Sequence, residues 1–152
     1  MSNTIGELEA QLALATSPQE KIESMNALAW ALRECDTQRA IALSEEASSL
    51  SQQGQFATTP YHQGLAYSLS HLGYLNHYKA DYSLALSQSF DALSLFEHLD
   101  QLEGVPMTLS IIGLTYLRLG NYSDAFSYQQ RALKIAKEIS DVVSEAKSLN
   151  GI

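Results

Sequence analysis

The side chains best suited to chemistry gather in one stretch: Tyr61, His62, Tyr67, Ser70, His71, Tyr74, His77 and Tyr78. Tyr67, His71, Tyr74 and Tyr78 are spaced by four, three and four residues, which puts them on one helical face. Tyr67, Ser70, Tyr74 and His77 form an adjacent line. This pattern does not suit a metal: His71 and His77 are six residues apart, off a shared face, with no carboxylate between them. Histidine can also sense pH, but nothing beside these two argues for it. Tyrosine offers a large apolar area and a hydroxyl at low entropic cost, which suits recognition. Two readings fit the stripe: packing between helices, or contact with a partner.

The remaining reactive residues nominate no reaction. Cys35 is the single cysteine, so an intrachain disulfide is excluded, and no base is placed to activate its thiol. Glu45 and Glu46, like Asp100 and Glu103, read as solvated charge rather than acid–base pairs. A glycine-rich phosphate loop, a His-Glu-x-x-His helix and a nucleophile elbow are all missing from the sequence. The chain is therefore read as non-enzymatic, with no catalytic residue, no metal and no cofactor.

Positioning these residues requires helices. Alanine, leucine, serine, glutamate and glutamine dominate, and β-branched runs are few. Ile5, Leu8 and Leu12 make a short amphipathic stripe over residues 4–15. Ser17-Pro18-Gln19-Glu20 predicts a cap, a proline at the first helical position and a glutamate reaching back to the cap N–H. That helix runs to about Arg33, and Asp36 caps the next, through about Ser51. Residues 52–60, bracketed by Gly54 and Pro60, read as a loop. Helices follow over Tyr61–Lys79, from Asp81 through Leu99, from about Pro106 to Leu119, and over Tyr122–Ile139, with Asp141 capping one more.

The order is repetitive. Leu69-Ser70-His71-Leu72-Gly73, Tyr82-Ser83-Leu84-Ala85 and Ala92-Leu93 return 40 residues later as Leu109-Ser110-Ile111-Ile112-Gly113, Tyr122-Ser123-Asp124-Ala125 and Ala132-Leu133. A fixed period in this range marks stacked repeats, which build extended surfaces rather than closed reaction pockets. Ala40 and Ala47, Ala85 and Ala92, and Ala125 and Ala132 each lie seven residues apart, two turns along one face, where small side chains let a partner helix approach. Gly73 and Gly113 do the same from the first helix of each pair, and Leu28 stands there in a degenerate first copy. Leu69, Leu109 and Leu149, with Leu72, Ile112 and Ile152, extend the ladder into residues 141–152. Those residues read as the start of a fourth copy, cut within its first helix, in a piece of a longer protein.

These residues resemble tetratricopeptide repeats. The copy from Ile112 to Leu133 has the small residue Gly113 and Tyr116 in its first helix, the turn Gly120-Asn121-Tyr122, and Ala125 and Ala132 in its second. In the copy before it, Asn76 stands for the helix tyrosine and Ala80 for the turn glycine. The 40-residue spacing resembles the longer-helix subgroup, and Asn26–Arg33 with Arg39–Ala47 looks like the first repeat of bacterial signalling regulators. The resemblance implies an all-α, right-handed superhelix of three helical hairpins, with an N-terminal helix and a truncated fourth repeat. The expected divisions of this single domain are 1–17, 18–53, 61–100, 104–140 and 141–152.

In such arrays the first helix of each hairpin lines the concave face. This implies a groove for a protein or peptide partner made by Tyr67, Ser70, His71, Tyr74, His77, Tyr78, Met107, Ser110, Leu114 and Arg118. Ile22, Met25, Asn26, Ala29 and Arg33 would be presented from the first copy. The lysines, arginine and asparagines with which some relatives clamp a terminal carboxylate are not matched: Met25, Ala29, Ser70 and Tyr74 stand there. A second expectation is self-association into a homodimer through Ile135, Ile139, Leu149 and Ile152. Nine basic against seventeen acidic residues argue against nucleic acid as partner. The acidic excess is concentrated in residues 1–104, with four Lys/Arg against thirteen Asp/Glu. No apolar stretch approaches the roughly 20 residues that span a bilayer. The start of the chain lacks the pattern of a signal peptide, so a cytoplasmic location is expected.

Overall fold

The computed structural model describes residues 3–149, with side chains to residue 140 and at Val142. Seven α-helices and no strands fill the described residues: α1 Ile5–Leu14, α2 Pro18–Leu32, α3 Thr37–Leu50, α4 His62–Tyr78, α5 Tyr82–His98, α6 Val105–Arg118 and α7 Tyr122–Leu149. Single 3₁₀ turns at Gly54–Phe56 and Leu102–Gly104 precede α4 and α6. Each helix packs on its neighbours in the chain, and α2, α4 and α6 also lie side by side. The result is a solenoid of helical hairpins, α2–α3, α4–α5 and α6–α7, with α1 packed on α2.

The helix starts follow local chemistry. Thr4 and Glu7 form a reciprocal capping box on α1, and the Ser17, Asp36 and Asp81 side chains accept from the N–H groups of Glu20, Arg39 and Leu84. Glu20 departs from expectation: its carboxylate accepts from the N–H and hydroxyl of Thr16, one residue before the cap. Three helix ends share one geometry. Ala80, Asp100 and Gly120 adopt the left-handed conformation, with φ of 64°, 56° and 82°. The next residue's N–H reaches back five positions in each case, from Asp81 to Asn76, Gln101 to Phe96 and Asn121 to Tyr116.

The last helix corrects the sequence reading. Instead of ending near Ile139 and restarting at Asp141, α7 runs unbroken from Tyr122 to Leu149, with Asp141 in its interior. The other second helices end ahead of Gly54 or of Gly104 and Pro106, whereas neither glycine nor proline occurs between Gly120 and Gly151.

The core lies within the hairpins and between them. Ala40, Ala47, Ala85, Ala92, Ala125 and Ala132 are all buried, as is Leu28. Gly73 and Gly113 stand where helices touch: an added Cβ would meet Ser89 Oγ at 2.1 Å in one case, and Gln129 Nε2 at 2.9 Å with the Ala125 carbonyl at 3.1 Å in the other. Larger side chains fill the spaces between, notably Phe96, Leu109 and Ile112 around α4–α7, and Leu28, Leu32 and Leu75 nearer the N-terminus.

Candidate partner-binding groove

The first helices of the hairpins meet along two seams. At the α4–α6 seam, hydroxyls do the joining. Thr108 and Thr115 each donate their single hydroxyl hydrogen to a carbonyl four residues back, Gly104 and Ile111, both at 2.7 Å. Each oxygen must therefore accept from α4. Ser70 donates to Thr108 at 3.1 Å, and His77 donates from Nδ1 to Thr115 at 2.9 Å, which fixes its tautomer. Burial, then the Arg118 cation, hold His77 below the usual histidine range.

The α2–α4 seam uses the same 38-residue offset with different chemistry. Asn26 donates from Nδ2 to the Gly64 carbonyl at 3.0 Å, and the Tyr61 hydroxyl donates to Glu23 Oε1 at 2.5 Å. The Tyr61 hydroxyl titrates above its ordinary value because burial and the Glu23 carboxylate both oppose the phenolate. Trp30 stacks on His71 with ring centres 5.0 Å apart and planes 23° from parallel, and Tyr74 meets it edge-on at 5.0 Å. The Arg33 guanidinium lies 4.1 Å from the Trp30 ring centre and donates to the Trp30 carbonyl at 2.8 Å. Burial, then Arg33, push His71 down to about 4, so it is neutral near pH 7.

This second seam is open. A cavity of about 900 Å³ lies among α2, α4 and the start of α1, walled by Thr4, Ile5, Trp30, Tyr61, Tyr67 and His71, with Glu23 and Arg33 also on its lining. Asn26 and His71 line it too, and both are buried with an unpaired atom, Oδ1 and Nδ1 respectively. Burial, then Glu103, raise the Tyr67 hydroxyl above its ordinary value.

The sequence-predicted groove residues divide between these places. Tyr67 and His71 line the cavity, and Tyr74 is half-buried against Trp30 and Tyr78. Ser70 and His77 are buried in the closed seam and face α6. Tyr78 is 61% exposed. Met107, Ser110 and Leu114 are half-buried along α6, and Arg118 is exposed at its end. From the first copy, Asn26 and Arg33 reach the cavity, whereas Ile22, Met25 and Ala29 are buried. Sequence reasoning gave Trp30, Glu23 and the α1 residues no place in the groove. Trp30 was legible only as the single tryptophan, and nothing local signals that α1 walls a cavity.

On the opposite end of the stack, α7 exposes Tyr122, Phe126 and Leu133. Leu133 is 71% exposed, whereas its counterpart Leu93, 40 residues earlier, is 6% exposed beneath the next hairpin. Ile135 and Ile139 are half-buried on the same helix. Ile152 and the side chain of Leu149 lie outside the described residues.

Among the described residues, no three His, Cys, Asp or Glu side chains converge as a metal site, and no helix is long and apolar enough to cross a membrane. Residues 107–141, which cover most of α6 and the first two-thirds of α7, match the family model of the tetratricopeptide repeat. No curated protein matches the sequence.

Proposed function

We propose that this chain, a member of the tetratricopeptide-repeat family by residues 107–141, is the docking module of a larger signalling protein and binds a peptide or helix in its concave groove. The repeat itself supports a role in protein–protein interaction. The observation that carries the finer reading is the α2–α4 cavity. Its size falls in the range of ligand sites, and aromatic side chains with a few polar groups line it. Nothing in its lining suggests a reaction: the one strongly shifted base there, His71, is stacked on Trp30 with no nucleophile among its partners.

The test is selection of displayed 12-residue peptides on the immobilised chain, followed by affinity measurement on variants. Tyr67→Ala should weaken the selected peptides at least tenfold, and Tyr74→Ala with Tyr78→Ala should weaken them less, with far-UV helicity retained. Unchanged affinity in Tyr67→Ala rules the cavity out as the docking site.

A second reading is self-association that sets the dimer state of a fused catalytic domain. The exposed Phe126 and Leu133 favour it, since their counterparts Leu86 and Leu93 are covered within the stack. Light scattering should then show a dimer that Phe126→Asp with Leu133→Asp converts to a monomer; a monomeric parent chain removes this reading.

A further inference from the structure

The open cavity is charged in opposite senses at its two ends on α2. Glu23 is exposed and accepts only neutral donors, Tyr61 Oη and Gln19 Nε2 at 3.2 Å; among the described residues no cation pairs with it. Arg33 spends one N–H on the Trp30 carbonyl, and its nearest carboxylate, Glu34, is 3.9 Å away and pointed into solvent. The guanidinium therefore keeps donors in hand. Ten residues separate Glu23 from Arg33, which is about 15 Å along a helix axis.

Between the two ends the lining alternates apolar and polar. Trp30 and Tyr67 supply apolar surface, and Asn26 Oδ1 and His71 Nδ1 are buried without partners. A buried polar atom left unpaired is destabilising, so bound groups that satisfy it gain what folding left unclaimed. Backbone amides carry the needed donors and acceptors. An extended chain covers about 15 Å in four to five residues.

From this we infer that the cavity binds a free oligopeptide of about four to five residues, its amino terminus at Glu23, its carboxylate at Arg33 and an apolar side chain against Trp30 and Tyr67. The inference rests on the reading of this groove as a docking site, and narrows it. An internal segment of a protein partner would bring amides but no terminal charges, leaving Glu23 without a counter-ion and Arg33 with only the solvent-facing Glu34 at 3.9 Å. A free peptide of matching length supplies both, together with the N–H that Asn26 Oδ1 lacks.

Trp30, the chain's single tryptophan, reports from the site. Four pools of pentapeptides with leucine or phenylalanine fixed at the centre should be titrated into the chain while its emission is followed. One pool has free termini, one is N-acetylated, one is C-amidated and one is blocked at both ends. The free pool should shift emission saturably, and each single block should weaken binding at least tenfold. Glu23→Gln should abolish the penalty for acetylation alone, and Arg33→Gln the penalty for amidation alone; Glu23 is exposed and Arg33 half-buried over Trp30, and circular dichroism verifies folding of both variants. Equal binding of free and blocked pools overturns the inference and leaves the groove as a site for internal segments. No response to any pool, with displayed peptides still bound in a Tyr67-dependent way, overturns it equally. Failure of both experiments removes the groove reading itself.

Discussion

The α2–α4 and α4–α6 seams bring helices together at the same 38-residue offset, yet one holds a cavity and the other is shut. Matching the copies on their alanines aligns Asn26, His71 and Ile111, and likewise Trp30, Leu75 and Thr115. At the first position a polar residue on the open seam becomes a buried isoleucine in the last copy. At the second, a half-buried tryptophan gives way to a buried leucine and then to the threonine that binds His77. The 38-residue register is shared, and the side chains at these two positions are where the seams differ in chemistry. The α4–α6 seam is joined by hydroxyls and aliphatic side chains, whereas the α2–α4 seam carries stacked rings and two buried polar atoms without partners.

Acid should break this contrast most strongly. His71 titrates near 4 when folded and near 6.5 when unfolded, so the unfolded chain binds the extra proton between these values. The stability that neutral His71 contributes is present above about pH 6.5 and is lost as pH falls towards 4, by about 3 kcal/mol at most. His77 acts in the same direction. Urea midpoints at pH 7 and pH 4.5 should show this loss, and His71→Phe should remove most of it. At pH 7 the same substitution should be neutral or stabilising, because Nδ1 has no partner to lose.

Filling space comes next. A Cβ on Gly64 would lie 2.6 Å from Ile22 Cγ2 and 2.7 Å from Tyr61 Cδ2, both within the packed edge of the open seam. Gly64→Ala should cost about 2 kcal/mol and displace Tyr61, and so should weaken peptide binding as well. Gly73→Ala is the sharpening control. Its nearest neighbour is the Ser89 hydroxyl, which can rotate, with Ser89 Cβ at 3.3 Å and the Ala85 carbonyl at 3.4 Å having to give slightly; alanine gains about 1 kcal/mol in helix propensity, so chemical denaturation should find a smaller loss than for Gly64→Ala.

At the closed seam, Thr115→Val keeps the shape and removes the acceptor for His77 Nδ1–H. The expected loss is about 1–2 kcal/mol, with no change in peptide affinity, since this bond lies outside the cavity. A loss of affinity here would mean that the two seams are coupled through α4.

What the sequence could reveal about all this followed distance along the chain. Caps at Ser17, Asp36 and Asp81, the buried alanines and the repeat itself were legible because each depends on residues within a turn or on a fixed period. The continuation of α7 past Asp141 was not, because an aspartate that could cap a helix is equally compatible with its interior when no glycine or proline forces a break. The placement of the candidate groove residues was half legible. Helical spacing placed Tyr67, Ser70, His71 and His77 on neighbouring lines, but lines about 100° apart or less cannot be assigned to a groove or a seam without the partner helix. The roles of Trp30 and α1 depend on contacts some 40 or more residues away in sequence, such as Trp30 with His71, and no local pattern encodes them.

The smallest effect tests the turn that both seams share, at the end of α4. Ala80 holds φ of 64°, where Gly120 stands in the next copy at 82°. A left-handed alanine costs about 1–2 kcal/mol relative to its preferred conformation, and glycine escapes that cost while gaining some freedom in the unfolded chain. Ala80→Gly should therefore stabilise by about 0.5–1 kcal/mol, raising the melting temperature by about 1–4 °C in a chain of this size. Gly120→Ala should shift it downward by a similar amount. Because Ala80 is exposed and touches neither the cavity nor the Thr115 bond, peptide affinity should stay constant in both variants. An affinity change without a stability change would show that the end of α4 sets the width of the open seam, and that the contrast between the seams comes from helix orientation rather than from the side chains lining them.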